Sequence, residues 1–249
     1  MLSEHSLDVI SIGRASVDLY GQQLGGRLED MVSFRKAVQS LWLARPVEQP
    51  GSRPMDFEGN SLGAQLVEWP VHQTVKFLCF YHPDDPVEVR LRQERELLRV
   101  FDATRSVGRE LMVEIIVARN GSQEPDTLAT TLSRLYALGI KPDRWQLEPQ
   151  ATRDAWAAIG RIISANDPYC RGIVLLGFDS PLDDLVRTFP IAASCAQVHG
   201  IAAGRTIFSE AAQCWFSGQL SDESAVQEMA ARFALLVNAW RAAYRANMA

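Results

Sequence analysis

Short apolar runs alternate with amphipathic stretches along most of this chain. Runs with the length and composition of strands are Asp8–Gly13, Leu41–Arg45, Thr74–Tyr81, Leu111–Val117, Asp143–Leu147, Gly172–Leu176 and Val198–Ala202. Between them lie stretches with helical spacing: Pro86–Val107, Pro125–Leu138, Thr152–Ala165, Leu182–Ala193, Glu210–Ser217 and Asp222–Arg245. Strand and helix in strict turn predict an α/β fold, a parallel sheet with its helices packed outside. Gly172-Ile-Val-Leu-Leu-Gly177 is apolar on both faces, as buried parallel strands are. Gly108 and Gly139 each fall between a helical stretch and a strand, where C-terminal helix caps need glycine. Asp85-Pro86 predicts a helix start, with Asp as cap and Pro in the first turn. The stretch Val47–Gly63 has no period and carries Pro50, Gly51, Pro54, Gly59 and Gly63, so it predicts a loop.

Polar residues interrupt three of the apolar strands. Lys76 sits within Val75–Tyr81, Glu114 within Leu111–Ile116, and Gln146 and Glu148 alternate along Arg144–Glu148. Alternation puts Gln146 and Glu148 on one face. If the three strands are parallel neighbours, Lys76, Glu114, Gln146 and Glu148 point into a common interior. A buried lysine needs a carboxylate, which makes Glu114 its natural partner. Such a pair serves either proton transfer beside a carbonyl or a structural ion pair plugging the barrel. Gly200-Ile-Ala-Ala-Gly204-Arg205 ends a strand and opens a helix. Its N–H groups and arginine suit a phosphate, and its small residues suit close packing equally. His82-Pro83-Asp84-Asp85 has metal-ligand residue types but fits an Asp-rich strand-to-helix turn better. Trp42, Trp69 and Trp145 are expected in the core.

Composition narrows the function classes. The chain has 249 residues, 47% of them hydrophobic, and a net charge of −5 with both signs scattered. No basic stripe marks a nucleic-acid partner, and no apolar run reaches the roughly 18 residues of a membrane span. Glu4 and Asp8 replace the basic flank of a secretory signal. Cys79, Cys170, Cys195 and Cys214 lack paired metal spacing; Cys79 in an apolar run and Cys214 in a helical pattern fit reduced, buried thiols, so a cytoplasmic location is expected. The length matches a complete (β/α)8 barrel of about 250 residues.

From Leu41 onward the chain resembles the aldolase half of the bifunctional kinase–aldolase proteins of myo-inositol catabolism. The matching stretches are LWLARPVEQPGSRP, VKFLCFYHPDDP, LYALGIKPDRWQLEPQ, DPYCRGIVLLG and GIAAGRTIFSEAAQCWFSG. That barrel resembles 5-dehydro-2-deoxyphosphogluconate aldolase and is similar to tagatose-bisphosphate aldolase, a class I enzyme working through a lysine Schiff base. The resemblance implies a TIM-barrel-like class I aldolase fold, without cofactor or metal. Its implied reaction cleaves 5-dehydro-2-deoxygluconate 6-phosphate to dihydroxyacetone phosphate and malonate semialdehyde. By the same resemblance Lys76 and Glu114 are active-site polar residues, and Arg205 with Gly177 and Gly204 holds the substrate phosphate. The family carries its Schiff-base lysine where this chain has Gln146. A glutamine amide forms no iminium with a ketone, so lyase activity should be abolished or very slow unless Lys76 takes over. Lys141, ahead of its strand, points to the wrong end.

The opening DVISIGRASVDLYGQQLGGRLEDMVSF resembles the start of a PfkB-type sugar kinase close to 5-dehydro-2-deoxygluconokinase. There the acid at Asp18, five residues after Gly13, contacts sugar hydroxyls. The Gly-Ala-Gly-Asp motif that supplies the kinase base is missing from the chain. The resemblances together imply a kinase remnant over residues 1–38, an internally deleted aldolase barrel over 39–249, and seven strands counting Asp8–Gly13. Seven strands leave a barrel open, or closed by a partner's strand in a homo-oligomer. The expected partner is otherwise a small sugar phosphate. A non-catalytic sugar-phosphate-binding or subunit-assembly remnant is the alternative to an active lyase, with a sugar kinase third.

Overall fold

The structure, a computed structural model, describes residues 42–49, 51–57, 61–71, 73–118, 124–177 and 179–248. The expected strand Asp8–Gly13, the expected boundary at 38/39 and Asp18 lie outside the described residues.

Six parallel strands form one sheet in the order of the sequence: β1 (Ala44–Pro46), β2 (Thr74–Phe80), β3 (Leu111–Ile116), β4 (Arg144–Leu147), β5 (Ile173–Leu176) and β6 (Val198–Ala202). The helices are α1 (Leu62–Glu68), α2 (Val87–Ser106), α3 (Thr127–Ala137), α4 (Arg153–Asn166), α5 (Leu182–Ala192), α6 (Arg205–Phe216) and α7 (Asp222–Met248). The sheet curls into a half-barrel, the incomplete α/β barrel that the strand pattern predicts. Each described strand falls on its expected apolar run, with ends shifted by a few residues at most.

The two faces of the sheet have different chemistry because side chains alternate along each strand. Val75, Phe77, Cys79, Leu111, Val113, Ile115, Trp145, Leu147, Ile173 and Leu175 point outward and form one large core with the helices. On the concave face two small apolar clusters form. Ala44, Met112, Val174 and Ala202 make one, and Phe80, Ile116 and Leu176 the other. Along β3 the order Met112, Glu114, Ile116 puts the glutamate between these clusters, so a polar band crosses the concave face. Trp145 is fully buried and Trp69 nearly so, as expected, while Trp42 is half-buried. Trp42 Nε1 donates to Thr74 Oγ1 at 2.7 Å, and the Arg144 guanidinium stacks 5.3 Å from the Trp42 ring.

The helix ends follow local rules that were readable in advance, with one exception. Gly108 and Gly139 adopt φ of +63° and +86°, which side chains rarely tolerate. Around Gly139 the backbone closes two bonds, Gly139 N to Tyr136 O at 2.9 Å and Ile140 N to Leu135 O at 3.1 Å. Arg109 and Gly108 make the equivalent pair, to Thr104 O and Arg105 O. This double closure satisfies carbonyls left orphaned at the helix end. Asp85 does not cap α2. Pro86 occupies the cap position without a side-chain bond. The Asp85 carboxylate instead accepts from the His82 backbone N–H at 3.1 Å and pairs with Arg53. Two elements differ from the sequence pattern. The stretch expected to be a loop ends in α1, started by Ser61 accepting from Ala64 N. α6 runs continuously from Arg205, where a helix start was expected, through the helical stretch that the spacing shows only from Glu210.

Candidate functional site

The strand registers bring the predicted polar residues together. Lys76 stands beside Met112, and Glu114 stands beside Gln146. Lys76, Glu114, Gln146 and Glu148 are 6%, 3%, 2% and 3% exposed, so the concave face holds four buried polar side chains. Lys76 Nζ donates to Glu114 Oε2 in an ion pair buried on both sides. Glu148, one alternation beyond Gln146, accepts from Val117 N at 2.7 Å and Ala118 N at 3.3 Å. Burial pushes the Glu148 carboxyl up, against those two N–H bonds, and the Glu114 charge adds to the rise. Gln146 Oε1 is buried without a hydrogen-bond partner.

Glu48 belongs to the same group and was missed from the sequence. Ala44, Pro46 and Glu48 fall on alternate positions, the signal that would have placed it on the concave face. The backbone N–H groups of Glu48 and Leu78 favour its ionised form, while Glu48 Oε2 is buried without a partner. Burial pushes its carboxyl up, and the neighbouring Lys76 charge offsets part of that.

A carboxyl whose folded pKa is raised binds extra protons in the native state. Stability therefore falls as pH climbs from the ordinary Glu value, about 4.3, through the folded value. Glu48→Gln removes that loss. We expect its Tm to exceed the parent's at neutral pH by about 2–4 °C, the shift that roughly 1 kcal/mol gives a domain of this size. Near pH 4 the two should melt together, and thermal unfolding at both pH values checks this. An equal gap at both would show that Glu48 is not the titrating group.

The phosphate-binding residues expected after the last two strands lie at the ends of β5 and β6. Gly177 N donates to Ala202 O at 2.8 Å, so that N–H already serves the sheet. A Cβ at Gly177 would sit 3.1 Å from the same carbonyl oxygen, so close packing explains this glycine. Gly204 precedes α6, and its carbonyl accepts from Ile207 N at 2.8 Å. The Arg205 side chain is 51% exposed and pairs with Asp179 at 2.9 Å. A phosphate at Arg205 would have to displace or share that guanidinium with Asp179.

Other chemistry-bearing residues are accounted for structurally. Lys141 is exposed ahead of β4, away from the polar band. Burial pushes the Cys79 thiol up, which makes it unreactive. Cys195 is also buried and Cys170 half-buried, while Cys214 is half-buried, less covered than expected. His82 Nδ1 accepts from Asp84 N at 3.2 Å within the turn before α2. Among the described residues no group of three or more His, Cys, Asp or Glu is arranged to hold a metal ion, and no helix is long and apolar enough to cross a membrane.

Known structures of similar shape are aldolases among others. Fructose-bisphosphate aldolase from Plasmodium falciparum, solved with TRAP and a small-molecule inhibitor, superposes with a TM-score of 0.62 at 11% identity, over 86% of this chain and 72% of that one. A Corynebacterium glutamicum protein gives 0.53 at 15% identity, over 82% and 68%. Fructose-bisphosphate aldolase from Slackia heliotrinireducens gives 0.50 at 11%, over 80% and 70%. At such identities the likeness is one of fold. No curated protein matches the sequence. A family profile does match, over residues 19–244, and the chain belongs to that family, DUF2090, described as uncharacterized protein conserved in bacteria.

Proposed function

We propose that this chain is an aldolase-derived protein of myo-inositol catabolism that binds a sugar phosphate on its concave face and does not cleave it. The observation that carries this reading is the Lys76–Glu114 ion pair. Class I cleavage needs a free amine to add to the substrate ketone and lose water, leaving an iminium that accepts the electrons of the breaking bond. The chain has three lysines, Lys36, Lys76 and Lys141. Lys36 lies outside the described residues, and Lys141 is exposed ahead of β4. Lys76 is on the concave face, but an ammonium paired with a buried carboxylate has no lone pair to offer. Position 146, beside Glu114, carries an amide. Arg205 and the α6 N-terminus are the proposed phosphate contacts.

Dihydroxyacetone phosphate followed by borohydride reduction tests this directly, with the adduct located by mass spectrometry. The parent protein should give no adduct on Lys76, and Gln146→Lys should give one at position 146. Lys76 already takes the Glu114 carboxylate, and its positive charge close to position 146 favours the neutral, nucleophilic form of a lysine placed there. A parent adduct on Lys76 would restore the active-lyase reading. An inert Gln146→Lys would put the defect in the incomplete barrel instead.

A further inference from the structure

The polar band is short of hydrogen-bond donors and of positive charge. Glu48, Glu114 and Glu148 supply three carboxylates, and Lys76 supplies one ammonium, which Glu114 takes. The charges acting on Glu48 are those of Lys76 and Glu114; the charge acting on Glu148 is that of Glu114. Two acceptor atoms are then left over. Gln146 Oε1 and Glu48 Oε2 are both buried with no partner, and Gln146 as a residue is 98% covered. A buried acceptor without a donor is costly, so two in one band leave room there for the donors of a ligand. What completes it must donate hydrogen bonds. Because the surplus is of carboxylates, a donor that is also a cation is favoured over a neutral one. A phosphate or carboxylate is disfavoured by the same sign, which keeps any anionic end of a ligand out at Arg205.

We propose that the concave face binds a small hydroxylated amine, an amino sugar or amino polyol, whose ammonium donates to Glu48 Oε2 and whose hydroxyl donates to Gln146 Oε1. This deepens the sugar-phosphate reading above and rests on it for the site. The upward push on the Glu48 carboxyl agrees, since Lys76 offsets burial only in part and a bound ammonium would supply the remainder.

Calorimetric titration with glucosamine and with glucose, at about pH 6.5 where such an amine is protonated, separates charge from shape. Glucosamine should bind about tenfold tighter or better, the range of a charge-assisted bond. Glu48→Gln should abolish that preference, weakening glucosamine far more than glucose. Gln146→Leu should weaken both sugars and keep the preference. Equal binding of the two sugars by the parent protein, or no binding of either, overturns the amine site. Dihydroxyacetone phosphate in the same titration reports on the underlying reading. Its binding without a glucosamine preference removes the amine site alone, and glucosamine binding without it removes the sugar-phosphate reading alone.

Discussion

Replacing Glu114 with alanine should cost the fold about 3–5 kcal/mol, the cost of leaving a buried charge unpaired. Lys76 is 6% exposed and its ammonium pairs with Glu114 from the neighbouring strand. Removing the carboxylate strands the ammonium between two apolar clusters, with the Glu48 charge as incomplete compensation. The loss is one of desolvation, not of the bond itself. The double variant Lys76→Met with Glu114→Leu should therefore recover most of the stability, because it removes both charges and fills similar volume. Urea unfolding of parent, single and double variants measures this. A double variant as unstable as Glu114→Ala would show that the pair organises the strands beyond cancelling each other's charge.

The second large effect is expected at Trp145→Ala, again about 3–5 kcal/mol, the range for deleting a large core aromatic. Trp145 is fully buried on the convex face of β4, and its ring meets Tyr136 edge-on, with centroids 5.6 Å apart and planes at 76°. Its Nε1 donates to the Tyr136 hydroxyl at 2.7 Å. Alanine opens a cavity between β4 and α3 and leaves that hydroxyl, on a residue 4% exposed, without its donor. Trp145→Phe keeps most of the volume and loses the bond, so its smaller loss isolates the polar part, about 1–3 kcal/mol. If Phe and Ala prove equally damaging in urea unfolding, the hydrogen bond and not the volume holds this contact.

These two residues illustrate what the sequence discloses and what it hides. Lys76 and Glu114 are each polar interruptions of apolar strands, so their burial and mutual pairing followed from periodicity and the cost of an isolated charge. Trp145 sits one position before Gln146, and strand alternation alone sends one outward and the other inward. Glu48 escaped notice because β1 is only Ala44–Pro46 and the residues after it read as an aperiodic loop. α1 was hidden in the same stretch, since Gly63 within it weakens the helical pattern that Ser61 starts. Asp85 misled for the opposite reason. Its type suits a cap, but Arg53 and the His82 N–H claim the carboxylate, and those are tertiary and turn contacts no local rule contains. Arg205 was correctly placed at a helix start, whereas its pairing with Asp179 depends on two loops meeting.

The strand order has one consequence for how the molecule holds together. Every described strand pairs with its neighbours in sequence, so each closure spans a few dozen residues, as in the 38 between Lys76 and Glu114. Among the described residues β1 and β6 pair with a strand on one side only, and the end members of such a one-dimensional stack loosen at least expense. Glu114 and Gln146 lie on β3 and β4, the middle pair, with Lys76 one strand away. Glu114, whose loss would strand the Lys76 ammonium, is thus carried by one of the strands that let go last.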